Sequence, residues 1–221
     1  MVADKEKSRK FSSMTIDDVV EDFGVEVDYT GVGLEFWLDV PQQISTQEAE
    51  LLESLRKILI SNVANWNEFE LEILFISPLI NMVNFYEVNV KPFIERTIAG
   101  EVDGKAMHGE VDWIISKGFG RPKAPFFCLK EFKKAKNSSN DPEGQLAAAM
   151  LVAQVLNKND NPIYGAYVVG REWIFTILKG RKMLQSLPLL TTDKDDLMKI
   201  LRVFKNLKSI IGKESENTLG V

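Results

Sequence analysis

The stretch "CLKEFKK", residues 128 to 134, sets an acid and a base two positions apart, Glu131 and Lys133, with Phe132 between them. On a β-strand, side chains two apart share a face, so the carboxylate and the ammonium project together while the phenyl ring turns toward a core. Upstream, "GEVDWIIS" places Val111, Trp113 and Ile115 on one face by alternation and Asp112 on the other. Brought beside Glu131 by a neighbouring strand, Asp112 completes a pair of hard oxygen donors of the kind that hold Mg²⁺, which keeps several waters and takes few protein ligands. A lysine next to them can hold the attacking water and offset charge on a phosphate. A Glu-x-Lys triplet arises by chance about once in a chain of this size, and a solvated ion pair is its plain structural reading. The setting of the triplet is what singles it out.

That setting is read from periodicity. Residues 1–13 show nothing periodic and are expected to form a mobile arm. "GVEVDYTGVGLEFWLDV" alternates on both sides of "TGVG" and predicts an N-terminal β-hairpin over 24–40. Ser45 with Glu48 forms a capping box before Leu51, Leu52, Leu55, Ile58 and Leu59, a helix to about Ile60. Asn65 with Glu68 opens a second helix that Pro78 is expected to stop. Runs at 87–99, 109–116 and 125–133 predict a three-strand antiparallel meander. Asp141 and Pro142 then start a helix that carries Gln145 in its first turn and fades at Asn157. Two strands around Gly170 and a C-terminal helix from about Asp193 to Ile211, stopped by Gly212, complete an α/β (α+β) fold with a central mixed sheet and flanking helices.

Composition bounds the function. A chain of 221 residues that is 45% hydrophobic, with four Trp and thirteen Phe, has ample material for a core. Its longest apolar stretch, "ILFISPLINMV", is interrupted by Ser77, Pro78 and Asn81 and predicts no membrane partner. The lone Cys128 makes no intrachain disulfide, and a cytoplasmic setting is expected. One histidine, His108, cannot build a zinc site with one cysteine and argues against a Ser-His-Asp hydrolase. Net charge is −5, yet residues 1–80 sum to −10 and residues 81–221 to +5. Within 117–136 seven basic side chains, among them Arg121, Lys123, Lys134 and Lys136, face Glu131 alone, a local field that attracts polyphosphate.

The order of these pieces resembles the PD-(D/E)XK nuclease superfamily over about residues 65–180, with a restriction-endonuclease-like core of helix, meander, helix and strand. "NEFELEILFISPL" is similar to the opening of the nuclease domain of type I restriction motor subunits. The literal signature is broken at Val111, which stands where proline precedes the aspartate. The resemblance implies a nuclease domain over 63–212, preceded by an extension at 14–62 and followed by a tail at 213–221. It implies Asp112, Glu131 and Lys133 as catalytic residues, with Gln145 and Glu68 in support. Mg²⁺, or Mn²⁺ in its place, is implied on Asp112, Glu131 and the carbonyl of Phe132. DNA more than RNA is the implied partner, met by Arg121, Lys123, Lys134 and Lys136, with a homodimer or a larger assembly left open. The alternative is a catalytically silent module of this fold that binds nucleic acid or a protein.

Overall fold

A computed structural model describes the backbone of residues 8–133 and 141–219, and the side chains of 8–127 and 141–214. The described residues fold as one nine-stranded mixed sheet with helices on both faces, an α+β architecture. In chain order the elements are β1 (Arg9–Lys10), α1 (Ile16–Phe23), β2 (Glu26–Asp28), α2 (Glu35–Leu38), α3 (Thr46–Asn62), α4 (Glu68–Leu71) and α5 (Ser77–Asn81). They continue with β3 (Lys91–Val102), β4 (Lys105–Lys117), β5 (Lys123–Lys133), α6 (Pro142–Asn157), β6 (Ile163–Val169), β7 (Glu172–Lys179), β8 (Lys182–Gln185), β9 (Leu189–Leu190) and α7 (Lys194–Leu219). The strand order is β1-β4-β5-β6-β7-β8-β2, with β3 along the other side of β4 and β9 on β7. No helix among the described residues is long and apolar enough to cross a membrane.

The predicted meander is present as β3, β4 and β5, each antiparallel to the next, and α6 carries the chain back so that β6 runs parallel to β5. Two cores flank the sheet. On one face α1 and α6 pack Val19, Phe23, Leu146, Met150 and Ala153 against Val111, Ile114 and Phe126. On the other, α3, α4, the turn that follows it, α5 and α7 bring Leu55, Leu71, Phe75, Leu79, Leu201 and Phe204 onto Trp113, Ile115, Tyr164 and Phe175.

Several expectations are corrected. Residues 24–40 are not a hairpin: β2 pairs in parallel with β8, and the turn at Gly31 and Gly33, both with positive φ, leads into α2. Leu34, Trp37 and Leu38 recur at helical spacing and are buried, and the Trp37 indole donates to the Val203 carbonyl at 3.2 Å. Burial of that tryptophan between Tyr164 and Phe175 outweighs the alternation seen in the sequence. The arm is docked from Arg9 onward, since β1 pairs with Met107–His108 and Phe11 is buried against Gly109. Pro78 does not stop a helix. A π-helical turn at Glu72–Ile76 joins α4 to α5, and Pro78, which has no N–H to donate, lies at the start of α5 directly after that wider turn. α7 runs through Gly212 to Leu219 rather than ending at Ile211.

Alternation on β4 also breaks. Val111 and Ile114 belong to one core and Trp113 and Ile115 to the other, so Val111, Trp113 and Ile115 do not share a face. The switch coincides with Glu95 on β3, whose φ of 48° interrupts the extended backbone between the pairs Ile94↔Trp113 and Arg96↔Val111. Asp112 lies at the crossing point.

Candidate active site

Asp112 stands where two strands part. The β4–β5 register runs to Trp113↔Lys130, and beyond it β5 continues along β6 through Glu131↔Tyr167, Phe132↔Val168 and Lys133↔Val169. On β4 the side that faced β5 is taken up by β1 at Met107 and His108. Asp112 and Glu131 are therefore each one residue past a pair whose Cα atoms stand about 5 Å apart, at the mouth of a fork. Asp112 is half-buried there. Glu131, Phe132 and Lys133 lie on the described backbone of β5, with side chains outside the described set, and Lys134 and Lys136 lie outside the described residues.

The helix after the fork begins with a firm cap. Asp141 accepts from the Glu143 N–H at 3.2 Å, Pro142 follows it, and Gln145 sits in the first turn, 7% exposed. The other Asp141 oxygen accepts from Ile16 N–H at 2.9 Å, which ties the start of α1 to the start of α6. Gly144 makes that approach feasible, because a Cβ there would fall 2.3 Å from the Thr15 carbonyl carbon.

A polar chain extends from this turn, buried at Glu143, Gln185 and Tyr167 and reaching the surface at Tyr29. Glu143, 4% exposed, accepts from the Tyr29 hydroxyl at 2.8 Å and from Gln185 Nε2 at 2.6 Å, and Gln185 Oε1 accepts from the Tyr167 hydroxyl at 2.9 Å. Burial first, and then the Glu143 carboxylate, pushes both phenols above their ordinary range and keeps them as donors. Tyr167 is the β6 residue in register with Glu131, so this chain of bonds connects β6, β8 and the N-terminal segment to the helix that carries Gln145.

The helix glutamates divide. Glu68, the first residue of α4, is exposed, and the N-terminal capping box is made by Asn67 and Glu70 instead. One turn on, Glu72 is 4% exposed and accepts from the Trp113 indole at 2.8 Å, which places a carboxylate against the residue that follows Asp112. Glu72 was not anticipated, although it occupies the apolar stripe of Phe75, Ile76 and Leu79 at helical spacing, and a charged residue on such a stripe is the signal for a buried partner. The Glu143 chain had no comparable signal, since its members are far apart in sequence.

The basic residues also divide. Arg121 and Lys123 are exposed at the β4–β5 turn, roughly 25 Å along β5 from Glu131 at 3.3 Å per residue, and are not brought to the fork. His108 is bonded through Nδ1 to Ser8 Oγ at 2.8 Å. Among the described residues no three His, Cys, Asp or Glu side chains are grouped to hold a metal, and that set does not include the side chain of Glu131. No protein-family model matches the chain, and no curated protein matches its sequence.

Proposed function

We propose that the protein is a metal-dependent nuclease acting on DNA, with its active centre at the β4–β5 fork. The observation that carries this reading is the register that leaves Asp112 and Glu131 at adjoining positions, followed by a helix with Gln145 buried in its first turn. The donor set fits a hard cation: Asp112, Glu131 and the Phe132 carbonyl supply oxygen alone, and these residues would hold Mg²⁺ or Mn²⁺. When bound, such an ion supplies Lewis-acid stabilisation of charge on the scissile phosphate. Lys133 orients the attacking water and offsets phosphate charge. Gln145 steadies the lysine from the helix, and the Glu143 chain holds that helix in place against β6. The cytoplasmic setting and any homodimer belong to the same proposal.

The test is incubation with supercoiled plasmid, single-stranded DNA and RNA in Mg²⁺, Mn²⁺ or EDTA, beside Lys133→Ala and Asp112→Asn. Metal-dependent cleavage that falls by about 100-fold or more in both variants is expected, the scale of removing one electrostatic stabiliser. Full activity in either variant sinks the assignment. Binding without cleavage under every condition leaves the silent module standing.

A further inference from the structure

The turn between β4 and β5 carries a ring and charges that the fork does not use. Lys117, Arg121 and Lys123 lie on or beside it, and Lys91, one strand over and in register with Ser116, brings a fourth cation. Among the described residues none of the four is in an ion pair. Glu214 lines the cleft behind Lys117, where burial raises its carboxyl above the usual range and Asn161 donates to it at 3.3 Å. At the tip Phe119 is 94% exposed, more than any other large hydrophobic side chain among the described residues. A ring so placed adds nothing to the core.

The turn is nevertheless built to hold it there. Gly118 has φ 127°, and a Cβ on it would fall 2.1 Å from the Arg121 carbonyl oxygen, so glycine alone closes this turn. Lys91 donates to the Phe119 carbonyl, and its ammonium stands 5.5 Å from the Phe119 ring and 5.0 Å from that of Phe93. Lys91 thus holds the Phe119 backbone and stands over one face of a ring that is otherwise offered to solvent.

We propose that this tip binds unpaired bases of a nucleic acid strand, with Phe119 stacking on a base and Lys91, Lys117, Arg121 and Lys123 meeting the neighbouring phosphates. The inference rests on the nuclease reading above and deepens it, naming single-stranded or locally unpaired nucleic acid as the substrate class. Every base has a π-face, so one aromatic ring serves any sequence, while a closed duplex offers no face to an isolated tip. The tip lies roughly 20 Å from Asp112, six or so residues along β4 at 3.3 Å each. That is about six nucleotides at the 3.4 Å step of a stacked strand, so one strand can touch both places.

The experiment is fluorescence anisotropy of a labelled oligothymidylate and of a blunt duplex, in EDTA so that nothing is cut. Phe119→Ala weakens the single strand roughly 5- to 100-fold and Phe119→Trp restores it, while duplex binding changes by less than about twofold. The pair Arg121→Ser and Lys123→Ser lowers the slope of log K against log salt by about 1.4 for the single strand. Wild-type protein that ignores oligothymidylate, an unchanged Phe119→Ala, or a Phe119 effect seen only with anionic vesicles overturns the proposal. A Phe119 effect without cleavage anywhere keeps the tip and sinks the nuclease, and cleavage lost in Lys133→Ala with an indifferent Phe119→Ala does the reverse.

Discussion

Replacing Gly144 by alanine asks whether the start of α6 is held by the N-terminal segment. In an ordinary helix interior the change gains about 0.9 kcal/mol of propensity. Here the new methyl would lie 2.3 Å from the Thr15 carbonyl carbon and 2.5 Å from Ile16 N, both backbone atoms that no rotamer change can move. Carbon contacts settle near 3.5–4.0 Å, so the start of α1 must retreat by at least about 1 Å. That retreat breaks the 2.9 Å bond from Ile16 N–H to Asp141. Overpacking costs about 2 kcal/mol and the lost bond about 1, so the net loss after propensity is about 2 kcal/mol. At 2–4 °C per kcal/mol for a chain of this size, the melting temperature falls by about 4–8 °C. Gly212→Ala is the control, a helical glycine whose Cβ would meet only the Val88 Cγ1 side-chain atom at 3.2 Å, and it should melt at or above the wild type. The assay is thermal unfolding by circular dichroism. Gly144→Ala melting at or above the wild-type temperature would refute the reasoning.

Trp113→Phe takes an indole donor from the buried Glu72 and should cost about 2–3 kcal/mol in denaturant unfolding, whereas Glu72→Gln, which keeps an acceptor, costs less; the opposite order would dismiss that bond as a determinant. Asp22 is held below the usual carboxylate range by bonds from Lys105 and Arg9, and Asp18 chiefly by the Thr15 backbone. A depressed folded pKa contributes stability above the unfolded value of 3.8 that drains away as pH falls through the folded one. Arg9→Gln should therefore lower stability above about pH 4 by a constant amount, flatten the acid limb below it and leave the slope above pH 6 unchanged; an identical acid limb speaks against it.

What could be read from the residues followed the locality of the signal. Asp141-Pro142 and Ser45 with Glu48 announce helix starts within four residues, and α6 and α3 begin where they place them. The meander was legible because its turns are short and glycine-rich. The hairpin at 24–40 was not there because Trp37 finds Tyr164 and Phe175 more than a hundred residues away, and no local pattern reports that. The same holds at the site. Asp112 was singled out by its strand, but the crossing of faces beneath it depends on Glu95 in another strand, and Glu72 was passed over for the exposed Glu68 because only the fold tells which turn of the helix meets Trp113.

The N-terminal segment carries a consequence for the order in which the molecule is made. β2 pairs with β8 at Glu26↔Lys182, 156 positions later in the chain, and α1 lies on α6. At 5–20 residues per second, about 8–30 s separate the synthesis of Glu26 from that of its partner. During that interval Phe11, Met14, Val19 and Phe23, all buried in the finished protein, have no complete surface to cover them. β2 is thus translated early and seated late, and a nascent chain halted before Lys182 would leave it without its partner strand.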